Sequence, residues 1–94
     1  MMDAQKKKKV SDRLTRIEGQ IAGIRRMVND DRYCIDILTQ TSAAVSALRA
    51  VEDEVMQNHL NTCVVDAIRS RDQEDQQRKI HEVMDVIGKF RRHG

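Results

Sequence analysis

Cys34, His59 and Cys63 are the side chains of this sequence best suited to hold a soft metal ion. Thiolates select Cu(I), Zn(II) or iron–sulfur clusters, and imidazole suits zinc, copper, iron and nickel. His59 and Cys63 stand four residues apart, so on a helix they leave the same face within reach of one ion. Cys34 lies 25 residues before His59, and no Gly or Pro falls between Gly23 and Gly88. If one unbroken helix carries both, a rise of about 1.5 Å per residue puts them about 37 Å apart. A single chain cannot then close the set around an ion. Two antiparallel copies bring Cys34 of one subunit against His59 and Cys63 of the other, so the spacing predicts an obligate dimer with metal sites between subunits. Three such ligands suit Cu(I) in trigonal geometry. Zinc calls for a fourth ligand, from water or Glu, and a cluster normally takes four cysteines.

The elements that must position these residues are helical. Val10, Leu14, Ile17, Ile21, Ile24 and Val28 alternate spacings of four and three, one apolar seam. Ser11 or Asp12 is the expected cap of this helix, with extension upstream through the lysine run as the alternative, and Asn29-Asp30-Asp31 ends it, with either Asp able to cap the next. A second helix is expected from about Arg32 to Arg69, its stripe running through Ile37, Thr41, Ala44, Leu48, Val51, Val55, His59 and Thr62. Ser42, Ala43, Ala44, Ser46, Ala47 and Ala50 keep its first half small-sided, which permits close helix–helix approach. Residues 70–78 are wholly polar and read as a connection or a frayed helix start. Ile80, Val83, Met84, Ile87 and Phe90 give a short third helix, with Gly88 weakening its last turn. The expected fold is all-α: three helices per subunit, assembled into at least an antiparallel four-helix dimer core.

Ninety-four residues with one Tyr, one Phe, no Trp and no Pro make one small domain, spanning 1–94, with residues 1–9 as a flexible basic arm. Nothing approaches the roughly 18 apolar residues of a membrane span, and no signal-peptide core follows the basic start. A cytoplasmic protein without membrane contact is expected, and its two cysteines read as metal or redox thiols rather than a structural disulfide. Charge is uneven. Residues 1–28 hold eight Lys/Arg against three acids, 29–68 two against seven, and 69–94 seven against five. The basic first segment and a tail of Lys89, Arg91 and Arg92 favour a polyanion partner. Arg13, Arg16 and Gln20 share one polar face of the first helix.

The runs Arg13-Leu14-Thr15-Arg16-Ile17-Glu18-Gly19-Gln20 and Asp31-Arg32-Tyr33-Cys34-Ile35-Asp36-Ile37-Leu38-Thr39-Gln40 resemble the signature of the copper-sensing operon repressor family (CsoR/RcnR). His59-Leu60-Asn61-Thr62-Cys63-Val64-Val65-Asp66-Ala67-Ile68 is similar to that family's second ligand segment, and residues 80–90 to its last helix. The resemblance covers almost the whole chain beyond its first few residues. It implies a dimer of dimers that binds double-stranded operator DNA without a helix-turn-helix, and that releases it on binding Cu(I) to derepress copper export. Cys34 would then come from one subunit and His59 and Cys63 from its partner. Tyr33 and Glu82 match family residues that hydrogen-bond the metal-bound His from outside the coordination sphere. Arg13, Arg16 and Gln20, joined by the lysine-rich N-terminus, match the DNA-contacting surface.

The same resemblance separates the branches of the family. Nickel/cobalt sensors use additional histidines, one near the N-terminus, and no His precedes His59 here. Persulfide sensors lack the ligand His, and formaldehyde sensors lack the second thiol and carry an N-terminal Pro. Copper fits best. Zinc, nickel or a reactive electrophile as inducer is the alternative within regulation, and a copper or zinc storage protein that ignores DNA is the alternative outside it. His81 and His93 read as surface residues. An enzyme is disfavoured, since no oxyanion-donor loop or Gly-rich turn accompanies a Cys34–His59 pair.

Overall fold

The structure, a computed structural model, describes residues 2–93, with side chains described through Phe90. The side chains of Arg91, Arg92 and His93 are not among those described. Three helices follow one another: α1 over Ala4–Asn29, α2 over Cys34–Arg69 and α3 over Gln73–His93. The all-α expectation holds. Among the described residues no helix is long and apolar enough to cross a membrane.

α1 starts six residues before its apolar seam. Asp3, not Ser11 or Asp12, is its cap, accepting a 2.8 Å hydrogen bond from the Lys6 backbone N–H. An Asp in that position satisfies one of the orphan donors of the first turn. Lys6 to Lys9, expected in a flexible arm, are therefore helical, and Lys8 pairs with Asp12 at 3.0 Å one turn on. The Asn29-Asp30-Asp31 break is present but serves α1 rather than α2. The Arg32 N–H bonds the Met27 carbonyl at 3.0 Å and the Asp31 N–H bonds Val28 at 3.2 Å, with Asp31 at φ 53°. This is the Schellman pattern, with Asp in the left-handed position that glycine usually fills. At the start of α2 the Tyr33 carbonyl accepts from the Asp36 and Ile37 N–H groups, so neither Asp30 nor Asp31 caps it.

Met2–Val55 packs as one compact unit and the residues from Met56 on as a second, with α2 contributing to each. In the first unit Val10 and Ile17 of α1 pack with Val51 of α2, joined by Met2 and Ala47. Ile17 and Ala47 line one recess and Lys9 pairs with Glu54, so the hairpin is antiparallel. Ala44 is buried and Ala47 meets the core, as the small-sided half of α2 requires for close approach. In the second unit the connection shrinks to residues 70–72. Asp72 caps α3 by accepting from the Glu74 N–H at 3.0 Å, and Glu74 and Asp75 complement the helix dipole in the first turn. Asp75 in turn accepts from Ser70 at 2.9 Å and pairs with Lys79 at 3.1 Å and with Arg78. The polar stretch 73–78 is thus regular helix, its side chains bonding each other and the turn.

Much of the apolar seam stays uncovered within one chain. Leu14, Ile21, Val28, Leu38, Val55 and Val64 are exposed, and Ile68 and Met84 keep 75% and 61% of their surface.

Asp31 carries a Cβ in a backbone region that disfavours one. Asp31→Gly should raise the free energy of unfolding by up to about 1 kcal/mol, less what glycine costs in unfolded-chain entropy. A urea melt followed by circular dichroism measures it, and a lower midpoint would show that the Asp31 side chain itself holds the turn.

Candidate metal centre and nucleic-acid interface

The continuous turn of α2 brings His59 and Cys63 together as their spacing requires. The Cys63 sulfur lies 3.4 Å from His59 Nε2, with Cys63 buried and His59 exposed. The pair presents a sulfur and a nitrogen on one side of α2, two donors that one soft ion can take together. Cys63 also lines an apolar groove of about 330 Å³ with Val64, Ala67 and Ile68 of α2 and Lys79, Ile80, Val83 and Met84 of α3. The walls of this groove around the Cys63 sulfur are mostly apolar.

Cys34 is the first residue of α2 and is exposed, and Tyr33 beside it is exposed too. Among the described residues no three His, Cys, Asp or Glu side chains of the chain gather around a common point. Glu82 sits on an exposed face of α3, and His81 is an open surface residue near Glu74, Gln77 and Arg78.

The second constellation lies on the first unit. Arg13, Arg16 and Gln20, placed on one face by their spacing, line a common recess of about 120 Å³ with Ile17 and Ala47. Glu54 of α2 adds a group that the sequence reading did not single out. Its Oε1 takes the Lys9 ammonium at 3.0 Å and the Arg13 guanidinium at 3.6 Å. Its Oε2 is buried without a hydrogen-bond partner. In the sequence Glu54 is one acid among three, after Glu52 and Asp53, and only the register of the α1–α2 hairpin marks it out.

The Lys9 hydrogen bond leads in holding the Glu54 carboxyl below its ordinary 4.5. Partial burial opposes this, and the charges of Lys9, Arg13 and Lys6 reinforce it.

Against this geometry the similarities to known proteins are consistent. Residues 6–89 match the family described as metal-sensitive transcriptional repressor. The chain belongs to that family. The metal-sensitive repressors most like it include the copper-sensing transcriptional repressor CsoR of Bacillus subtilis, 45% identical over 93% of this chain and 83% of that protein. The copper-sensing transcriptional repressor RicR of Mycobacterium tuberculosis is 50% identical over 68% of this chain and 67% of that protein. The crystal structure of the copper-sensing repressor CsoR with Cu(I) from Geobacillus thermodenitrificans superposes with a TM-score of 0.80, at 42% identity over 96% of this chain and 91% of that one. The nickel-responsive transcriptional regulator InrS gives 0.73 at 32% identity, over 90% and 92%. Members of this repressor family are regulators, not enzymes.

A carboxyl with a lowered pKa contributes stability that is complete above its ordinary pKa and is lost as pH falls through the lowered value. Glu54 should therefore make the α1–α2 unit acid-sensitive below pH 4.5. Thermal melts from about pH 6 down to about pH 3 should show a smaller fall in Tm for Glu54→Gln than for wild type. Parallel curves would mean that the Lys9 and Arg13 contacts are not kept in solution.

Proposed function

We propose that this chain is a Cu(I)-responsive, cytoplasmic repressor that binds double-stranded operator DNA when metal-free and releases it on binding Cu(I). The observation that carries the reading is the His59–Cys63 pair at 3.4 Å on α2, in a member of a metal-sensitive repressor family. Copper rather than nickel follows from the donors. Two thiolates with one imidazole are soft and few, and the chain has no His before residue 59. The names of the CsoR and RicR relatives, and the Cu(I) in the Geobacillus structure, support the same choice.

Cys34 of one subunit, with His59 and Cys63 of another, would hold the ion. The length of α2 supports this pairing, since Cys34 opens the helix and the other two lie in its last third. So do the apolar side chains left uncovered on α1, α2 and α3, which a lone chain in water leaves unburied. An antiparallel four-helix dimer core, doubled into a dimer of dimers, is the assembly that would cover them. Cu(I) supplies a centre that draws these three side chains from two subunits into one arrangement. Tyr33 and Glu82 would hydrogen-bond the outward-facing nitrogen of His59 and fix the ring, which links ligand geometry to α3.

Arg13, Arg16 and Gln20 would meet the DNA backbone, with Lys9 and Lys6 extending the same face one and two turns earlier along α1. The cations would neutralise phosphates, and affinity would fall steeply with salt. The deciding experiment is an anaerobic titration with Cu(I), Zn(II) and Ni(II) while following release of a duplex carrying the promoter of the chain's own gene. Release by Cu(I) at the lowest free-metal concentration is expected. Release by Ni(II) first would assign the inducer to nickel, and tight Cu(I) binding without any affinity for DNA would point to storage.

The intersubunit site is testable by complementation. Mixing Cys34→Ala subunits with His59→Ala/Cys63→Ala subunits should rebuild one site per heterodimer, with X-ray absorption showing two sulfurs at about 2.2–2.3 Å and one nitrogen at about 2.0 Å. Heterodimers that bind no copper tightly would place each site within one chain.

Sensing and DNA contact should also separate by mutation. Cys34→Ala should leave metal-free DNA binding intact and abolish release by Cu(I). Arg16→Ala should weaken binding with or without metal and reduce the slope of log affinity against log salt by about 0.9. Glu82→Ala should keep Cu(I) bound but blunt its effect on DNA. A Cys34→Ala protein that still releases DNA normally would defeat the sensor reading.

A further inference from the structure

We infer that Glu54 is an internal competitor for DNA phosphate, holding Lys9 and Arg13 of the α1 face in an ion pair that operator DNA must loosen. The inference rests on the reading of that face as the DNA-contacting surface. It deepens that reading by assigning the face a built-in regulator of affinity.

The geometry separates an anchored anion from two reachable cations. The Glu54 side chain is only 15% exposed, while Lys9 keeps 60% and Arg13 39% of their side-chain surface open. The carboxylate is fixed on α2 against the hairpin, and the cation heads stand at the rim where a phosphate would arrive. A single oxygen, Oε1, serves both cations, and the Arg13 contact at 3.6 Å is longer than a hydrogen bond. Such a contact lowers the charge presented by the face without fixing the guanidinium in one orientation. A carboxylate that served to aim Arg13 would instead grip it through both oxygens in the forked geometry of an Arg–carboxylate pair. Here Oε2 is buried and empty-handed.

The energetic consequence follows from charge. Drawing Lys9 and Arg13 toward a phosphate leaves a partly buried carboxylate short of its counter-charges, which opposes binding. A cation already neutralised by Glu54 also releases fewer small counterions when it meets DNA, so the salt dependence is shallower than the number of cations implies. The lowered pKa of Glu54 agrees with a carboxylate that stays ionised and engaged at neutral pH. Glu54 therefore moderates affinity, keeping the metal-free complex within a range from which a ligand can release it.

The test measures binding of wild type, Glu54→Gln and Asp53→Asn to a fluorescein-labelled duplex of the chain's own promoter across a salt series. Glu54→Gln keeps the size and polarity of the side chain and removes only the charge. It should bind about 3- to 10-fold more tightly at low salt, the worth of one or two partly exposed ion pairs. Its plot of log affinity against log salt should steepen by about 0.9 for each cation released. Asp53→Asn removes the same charge from an exposed neighbour, and it should change affinity much less. If Glu54→Gln binds no more tightly than wild type, or more weakly, Glu54 positions the cations rather than competing for them, and the inference fails. Equal gains from both variants overturn it too, by assigning the effect to net charge. Should Glu54→Gln not fold, Glu54→Asp withdraws the carboxylate by one methylene and should shift affinity in the same direction. A wild-type protein that binds no promoter DNA overturns the reading of the face itself, whereas wild-type binding unaltered by Glu54→Gln overturns only the role of Glu54.

Discussion

An α-helix advances by a fixed 1.5 Å or so per residue, and α2 holds that rise without interruption for 36 residues. Cys34 at its first position and the His59–Cys63 pair in its last third therefore cannot meet along their own helix. As the proposed ligand set, divided in this way, they need a second copy of the chain to supply the missing part. The proposed dimer follows from this one constraint, as does the choice of a metal content with few ligands per site. The same length gives α2 two jobs, since its first half packs on α1 and its last third lines the groove facing α3.

The α1–α2 pairing shows how small residues and charge act together. Ala44 and Ala47 bring the two helices close, which puts Val51 against Val10 and Ile17. That register also carries Glu54 beneath Lys9 and Arg13. A basic face and an acidic stretch that look separate along the chain are thus in contact across the hairpin. If α1 meets DNA as proposed, the acid and the DNA backbone are rivals for the same cations, and packing inside the subunit bears on affinity for a partner outside it.

The apolar surface left open in one chain fits the proposed oligomer. Exposed apolar side chains such as Ile21, Leu38, Val55, Ile68 and Met84 cost free energy in water. Burial against other subunits would recover that cost and couple the stability of the assembly to any change in helix position. Cys63, 3.4 Å from His59, lines an apolar groove with Ile80 and Met84. The proposed ligands and an uncovered apolar groove are neighbours there, the arrangement that the proposed metal-responsive switch of DNA affinity requires.

The sequence by itself determined the three helices, the shared face of His59 and Cys63, the shared face of Arg13, Arg16 and Gln20, and the family. Each depends on spacing along one helix or on local motifs, and helical periodicity carries that information without reference to distant residues. Tertiary structure decided what local patterns leave open. Lys6 to Lys9 join α1 because Asp3 bonds the Lys6 N–H, a capping geometry that competes with an equally plausible start at Ser11 or Asp12. Asp31 closes α1 instead of opening α2 because the Arg32 and Asp31 N–H groups find carbonyls behind them. The polar stretch from Gln73 is helix because Asp72 caps it and Ser70, Lys79 and Arg78 satisfy Asp75. Glu54 was invisible for the plainest reason. Its partners are more than 40 positions away, and only the register of two packed helices brings an acid from one to the cations of the other.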